Sequence, residues 1–138
     1  MKPPNMYYLG GLKMNNYSAC PIELVVSLIN KKWVIQIIRD LFFGKTRFSQ
    51  FKEDKPELSN KVLSNCLKSM EKDGIIQRIS DRYERDVEYI LTKKGQALNK
   101  IVYELAIFSI DEDLGDTKFS DDTKGKLKDT FKDKLVFK

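Results

Sequence analysis

Histidine is absent from all 138 residues, and cysteine occurs only twice, at Cys20 and Cys66. Without an imidazole, Ser-His-Asp and Cys-His catalysis are excluded, as are other histidine-based mechanisms. With no close cysteine pair either, neither a metal site nor an iron–sulfur cluster is expected from this chain alone. A Walker loop, a GxGxxG turn and a paired-carboxylate motif are likewise missing. No apolar run nears the roughly 20 residues that span a bilayer. The first ten residues (Met1 to Gly10) lack the apolar core of a secretory signal. These absences predict a cytoplasmic protein with no membrane role, no cofactor and no enzymatic activity.

Charge is present in ordinary amount, at 33% of residues with a net +5, but it is unevenly placed. Residues 1–110 carry 18 Lys/Arg against 12 Asp/Glu, whereas residues 111–138 carry 7 against 8. The basic excess therefore lies in the larger, N-terminal part, as a phosphate-binding surface requires.

Within that part, residues 58–91 carry the most information. Val62, Leu63, Cys66, Leu67 and Met70 recur at helical spacing and form an apolar stripe. The opposite face holds Asn60, Lys61, Ser64, Asn65 and Lys68, side chains able to reach base edges or phosphates. Asp73-Gly74 stops this helix, and strand-like runs follow at Ile75–Ser80 and Val87–Leu91, around a charged turn from Asp81 to Asp86. Helix, glycine stop and basic-tipped hairpin in that order read as the recognition helix and wing of a winged helix-turn-helix. Upstream, Phe48–Asp54 supplies the scaffold helix, Lys55–Leu58 the turn, and Ser59 the cap of a reading helix that extends to Lys72.

The remaining segments frame this motif. Residues 1–17 read as a loosely structured arm whose Tyr7, Tyr8 and Leu9 are apolar enough to dock. Ser18-Ala19-Cys20-Pro21 opens a helix with Ile22, Val25, Val26 and Ile29 as its stripe. A second helix begins near Lys31 or Lys32, buries Trp33, Val34, Ile37, Ile38, Leu41 and Phe42, and ends at Gly44. After the hairpin, Thr92 caps a long helix with Leu98, Ile101, Val102, Leu105, Ala106 and Ser109 along one face, broadened by Ile107, Phe108 and Ile110. That is more apolar surface than a small domain can cover, and it predicts a dimer-forming helix. The domain reading is thus an arm at 1–17, a winged helix-turn-helix domain at 18–112 and an amphipathic extension at 113–138. In the extension, Ser120 is the expected cap, with Leu127, Phe131 and Leu135 on one face.

The span Cys20 to about Asp111 resembles the HxlR-type winged helix-turn-helix transcriptional regulators, relatives of the MarR group. The matching pieces include Cys20-Pro21, Lys32-Trp33, Leu41-Phe42-Phe43-Gly44, Arg47-Phe48-Ser49-Gln50-Phe51, Met70 to Arg78, Val87-Glu88-Tyr89, and Leu91-Thr92 with Gly95. The resemblance implies a mainly α homodimer with a small β-hairpin wing, joined through its N- and C-terminal helices. It also implies a bacterial regulator, often a repressor responding to oxidants, quinones or aldehydes, and it places Cys20 at the family's sensing position. Two departures stand out: Asn30-Lys31 replaces the usual Gly-Gly, and Glu84-Arg85-Asp86 replaces the prolines common in the wing.

Several residues then acquire expected roles. Asn60, Lys61, Ser64 and Asn65 read base edges; Ser59 and Lys68 lie at the same surface, Lys68 against phosphate. Arg47 and Ser49, at the start of the scaffold helix, hold backbone phosphate. Arg82 and Arg85 at the wing tip reach the minor groove or its flanking phosphates. Cys20, at a helix N-terminus, faces unsatisfied amides that favour a thiolate, and it is the candidate redox sensor; Cys66 is core. The expected partners are double-stranded operator DNA, a second copy of the chain and a small electrophile or oxidant. Two other readings stay open: a regulator gated by a small aromatic ligand between the dimer helices, and a winged-helix protein–protein adaptor with no DNA role.

Overall fold

The structure, a computed structural model, describes the backbone of residues 7–9 and 12–14 and the whole of residues 20–115 and 118–136. Two compact units divide the chain, residues 1–35 and 36–138.

In the first unit, β1 (Tyr7–Leu9) pairs antiparallel with β2 (Leu12–Met14), in the register Tyr7↔Met14, Tyr8↔Lys13 and Leu9↔Leu12. The expected loose arm therefore contains a hairpin. How the arm's side chains dock, and the reading of Ser18 and Ala19, lie outside the described residues. Helix α1 (Pro21–Ile29) starts as expected, with Cys20 at the N-cap, Pro21 in the first turn and Glu23 near the positive dipole end. Its expected stripe is only partly covered. Ile22 and Val26 are exposed at 71% and 48%, and Leu24, on another face, at 53%. Apolar residues surround this short helix, so no single face accounts for them. At the end of the unit the Lys32 ammonium lies 4.8 Å from the half-buried Trp33 ring.

Helix α2 (Val34–Phe42) leads into the second unit, where Ile37 and Ile38 are fully buried and Leu41 and Phe42 half-buried. Gly44, with φ +97°, ends it as the sequence predicts. Then come α3 (Phe48–Lys52), α4 (Asn60–Lys72) and the antiparallel pair β3 (Ile76–Ile79) and β4 (Glu88–Leu91). Phe51, Leu58, Leu63, Leu67, Met70, Ile75 and Ile76 form the fully buried centre of the helix-turn-helix and wing root. Phe51 meets the Tyr89 ring edge-on at 6.2 Å, which ties the scaffold helix to the wing. Two expectations are corrected here. Val62 is 44% exposed rather than part of the buried stripe, and Cys66 is half-buried, its Sγ 3.9 Å from Met70 Sδ. Both lie at the edges of the stripe, where a one-sided helix meets solvent.

An ion pair lies beneath the turn. Lys55 donates to Asp40, and both residues are buried, at 4% and 3% exposure. Arg39 adds a second bond to the other Asp40 oxygen at 3.0 Å. The turn between α3 and α4 is thereby anchored to α2.

The expected long helix after the wing is two helices, α5 (Lys93–Gln96) and α6 (Asn99–Asp111). Thr92 caps α5 through a 3.1 Å bond from the Gly95 amide, and its hydroxyl also donates to the Gly74 carbonyl. Its amide bonds the Ile75 carbonyl at 3.0 Å. Thr92 thus clasps the start of the last helices to the turn after α4. Leu98, Val102 and Ile110 are buried along α6, whereas Ile101, Leu105 and Phe108 stay open. Helix α7 (Asp121–Leu135), capped by Ser120, packs on α6. Leu135 is fully buried, its carbonyl accepts the Asn99 amide at 2.7 Å, and Phe131 meets Phe43 edge-on at 5.8 Å. Among the described residues, no helix is long and apolar enough to cross a membrane.

Candidate nucleic-acid interface

Helix α4 divides as its sequence predicts. With Leu63, Leu67 and Met70 held inside, Asn60, Lys61, Asn65 and Lys68 are exposed on the opposite face and Ser64 is half-buried. Lys61, Asn65 and Lys68, spaced i, i+4 and i+7, form one ridge along the helix. Ser59 Oγ accepts the Val62 amide at 3.1 Å, so its first task is capping; the hydroxyl proton stays available to a phosphate oxygen. Lys52, which the sequence reading passed over, donates to Asn60 Oδ1. It joins the end of α3 to the start of α4 and adds a cation at the N-terminal edge of the reading face. No periodicity links residues on two helices, so nothing in the sequence marks this contact.

Arg47 is placed differently from expectation. Its guanidinium is 2.7 Å from Asp86 and 3.6 Å from Glu88, on the wing strand and the turn before it. The hydrogen bond to Asp86 and that carboxylate's charge hold the Arg47 pKa above its ordinary value. Helix α3 has only five residues, too short for a strong N-terminal dipole. Its N-terminus is satisfied instead by Gln50, whose Oε1 accepts the Thr46 and Arg47 amides at 2.9 Å each. Arg47 therefore braces the wing against the scaffold helix, while Ser49 remains exposed beside it.

At the wing tip, the acidic residues beside Arg82 and Arg85 are structural. Asp81 Oδ1 accepts the Tyr83 and Arg85 amides at 3.1 and 2.8 Å, building the turn, with Glu84 at φ +56°. Glu84 sits 3.7 Å from Arg78, and Asp86 engages Arg47. The guanidinium groups of Arg82 and Arg85 lie 4.8 and 4.7 Å from the centre of the exposed Tyr83 ring. Arg82 also donates to the Tyr83 hydroxyl at 2.6 Å. Tyr83, unremarked in the sequence, collects both cations at the tip through its ring face.

Cys20 stands in the other unit, partly exposed as a free thiol at the N-cap of α1, with its carbonyl accepting the Leu24 amide at 3.0 Å. Among the described residues, no group of three or more His, Cys, Asp or Glu side chains is placed to hold a metal ion.

Comparison with known proteins agrees with this geometry. Residues 28–112 match the family model described as HxlR-like helix-turn-helix. The HTH-type transcriptional regulator YvaP of Bacillus subtilis is 38% identical over 95 residues, which cover 67% of this chain and 88% of that protein. A structure of the redox regulator HypR in its oxidised form superposes with a TM-score of 0.62 at 30% identity, covering 71% of this chain and all of that one. Quinone-bound YodB from Bacillus subtilis superposes with a TM-score of 0.57 at 35% identity, covering 66% of this chain and 97% of that one. The family and these relatives are transcription regulators, not enzymes, and a helix-turn-helix regulator works on DNA. The chain belongs to the HxlR-like helix-turn-helix family and is a transcriptional regulator of the MarR-like winged-helix type.

Proposed function

We propose that this regulator is a homodimeric repressor whose grip on its operator is released when Cys20 is oxidised or alkylated. The observation that carries the DNA-binding half is the reading helix: Asn60, Lys61, Asn65 and Lys68 exposed over the buried Leu63, Leu67 and Met70. Placed in a major groove, the N-terminal half of α4 reads base edges through Asn60, Lys61, Ser64 and Asn65, and Lys68 meets phosphate. Ser49 and Ser59 add hydroxyl contacts to the backbone, and Arg82 and Arg85 follow the wing into or beside the minor groove. Two copies would meet half-sites about one helical turn apart. The open Ile101, Leu105 and Phe108 on α6, and the apolar surface of α1, supply faces that a second copy would bury.

The switching half rests on Cys20. A partly exposed thiol at a helix N-terminus suits attack on an oxidant or a quinone-like electrophile. That HypR has an oxidised form and YodB a quinone-bound one supports the same choice. Two products balance chemically: a disulfide to the partner's equivalent thiol or to a small thiol, with both electrons passing to the oxidant, or a thioether formed by addition to a quinone.

Fluorescence anisotropy on the chain's own upstream DNA tests both halves. Lys61→Ala with Asn65→Ala should abolish competitor-resistant binding while leaving the oligomeric state intact; retained sequence-specific binding defeats the assignment. Cys20→Ser should bind in dithiothreitol and ignore diamide. If Cys66→Ser alone loses the diamide response, the sensor is Cys66. A second reading has its own support in the 440 Å³ apolar recess on α6, bordered by Ile101, Leu105 and Phe108. A non-covalent aromatic ligand seated there would release DNA reversibly, with Cys20→Ser fully responsive.

A further inference from the structure

Two polar side chains meet where α3 ends and α4 begins. Lys52, the last residue of α3, donates to Oδ1 of Asn60, the first residue of α4. The contact lies on the open surface, while the backbone on either side of it is fixed from within. Phe51, Leu58 and Leu63 are fully buried beneath it, and the Lys52 carbonyl accepts the Lys55 amide at 3.1 Å. The acids that follow Lys52 are turned elsewhere: Glu53 stands 3.9 Å from Lys45, and Asp54 stands 3.7 Å from both Lys45 and Lys55.

An ammonium has donors and no acceptor, so the Asn60 amide turns its oxygen to Lys52 and leaves its NH2 group for a ligand. An asparagine that reads adenine needs both ends, Oδ1 to accept from N6 and Nδ2 to donate to N7. Here an adenine amino group would have to share Oδ1 with a cation and face that cation's own N–H bonds. Guanine presents two neighbouring acceptors, O6 and N7, at the same groove edge. Two donors, Asn60 Nδ2 and Lys52 Nζ, suit that pair. We propose that Lys52 is a specificity-determining residue, which turns Asn60 from an adenine reader into half of a donor pair for guanine. The inference rests on the placement of α4 in a major groove proposed above, and it names one base that the helix reads.

Selection of binding sites from a randomised duplex library by the full chain under dithiothreitol tests this, followed by fluorescence anisotropy on the selected half-site. At one guanine position, replacement by adenine should weaken binding about tenfold. Lys52→Met should erase or invert that preference at that position alone, since Asn60 regains both ends of its amide. Lys52→Arg, still a donor, should keep it. Placing 7-deazaguanine there, which lacks the N7 acceptor, should weaken binding by the natural chain. A selected site with no guanine whose preference depends on Lys52 would overturn the proposal and leave the reading helix standing. So would a Lys52→Met variant that weakens all sequences alike with a salt slope lower by about one, the mark of a phosphate contact. No enriched site at all would overturn both the proposal and the major-groove reading beneath it.

Discussion

A methyl group added at Gly95 would stand 2.2 Å from the Ile75 carbonyl oxygen and 2.9 Å from Leu91 Cδ2. The nearer obstacle is backbone that already accepts the Thr92 amide, so it cannot yield without breaking the clasp at that turn. Gly95→Ala should therefore destabilise the fold by about 1–3 kcal/mol, the usual range for overpacking. Gly125→Ala, on α7 with open space around its Cβ, should stabilise by about 0.5–1 kcal/mol through helix propensity alone. Urea unfolding of the two variants checks both signs. The residue scale also shows what the sequence makes readable. Ser59, Thr92 and Ser120 cap the helices that follow them, and Gly44 takes the positive φ of a helix stop, because each role is settled within four residues. Asp40 with Lys55, Arg47 with Asp86, and Lys52 with Asn60 join separate elements, and no local pattern announces them. Removing one partner of a buried ion pair typically costs about 3–5 kcal/mol, so Lys55→Met should lower stability far more than Arg47→Met, whose partners are exposed.

Among the elements, α4 and α2 follow the main lines of their hydrophobic periodicity, since each packs one face. The helix after Thr92 does not: its apolar spacing continues across Ala97 and Leu98, but the chain turns there, the Leu98 amide bonding Gly95 at 3.1 Å. Tertiary demand, the clasp by Thr92 and the close approach at Gly95, overrides a pattern that suits a continuous helix. Helix α7 is held by charge as well as by Leu135 and Phe131. Lys124 bonds Asp113 at 2.7 Å and Lys128 bonds Asp111, both acids at or just past the end of α6. The Lys124 hydrogen bond lowers the Asp113 pKa below 3.8, and the same bond raises that of Lys124 above 10.5. A depressed carboxylate contributes stability that is present above its ordinary pKa and lost as pH falls through the folded value. A raised ammonium contributes stability present below its ordinary pKa and lost as pH rises through the folded value. The stability difference between the natural chain and Lys124→Met should thus form a plateau between these limits and shrink at both ends. A plateau that continues unchanged to pH about 2 would contradict this assignment.

For the whole molecule, the decisive surfaces are those left open. Phe108 is 61% exposed and Leu105 50%, a large apolar area for one copy to present to water. Leu105→Glu with Phe108→Glu should yield a monomer in sedimentation velocity and, by separating the two reading heads, weaken operator binding without altering α4. Operator affinity of the natural chain should fall steeply with salt, by a slope of about 0.9 per phosphate neutralised, and Lys68→Ala should reduce that slope by about one. The docking of α7 also bears on how such a protein can be cut and recombined. A reading head is commonly treated as a portable module, and the family's shared span ends at residue 112. Here a fragment ending at that point would strip the Phe131 edge from Phe43 and leave the Asn99 amide without its carbonyl. Grafted elsewhere, this head would carry a raw, adhesive flank, and only a graft that brings residues 118–136 along should stay dispersed at high concentration.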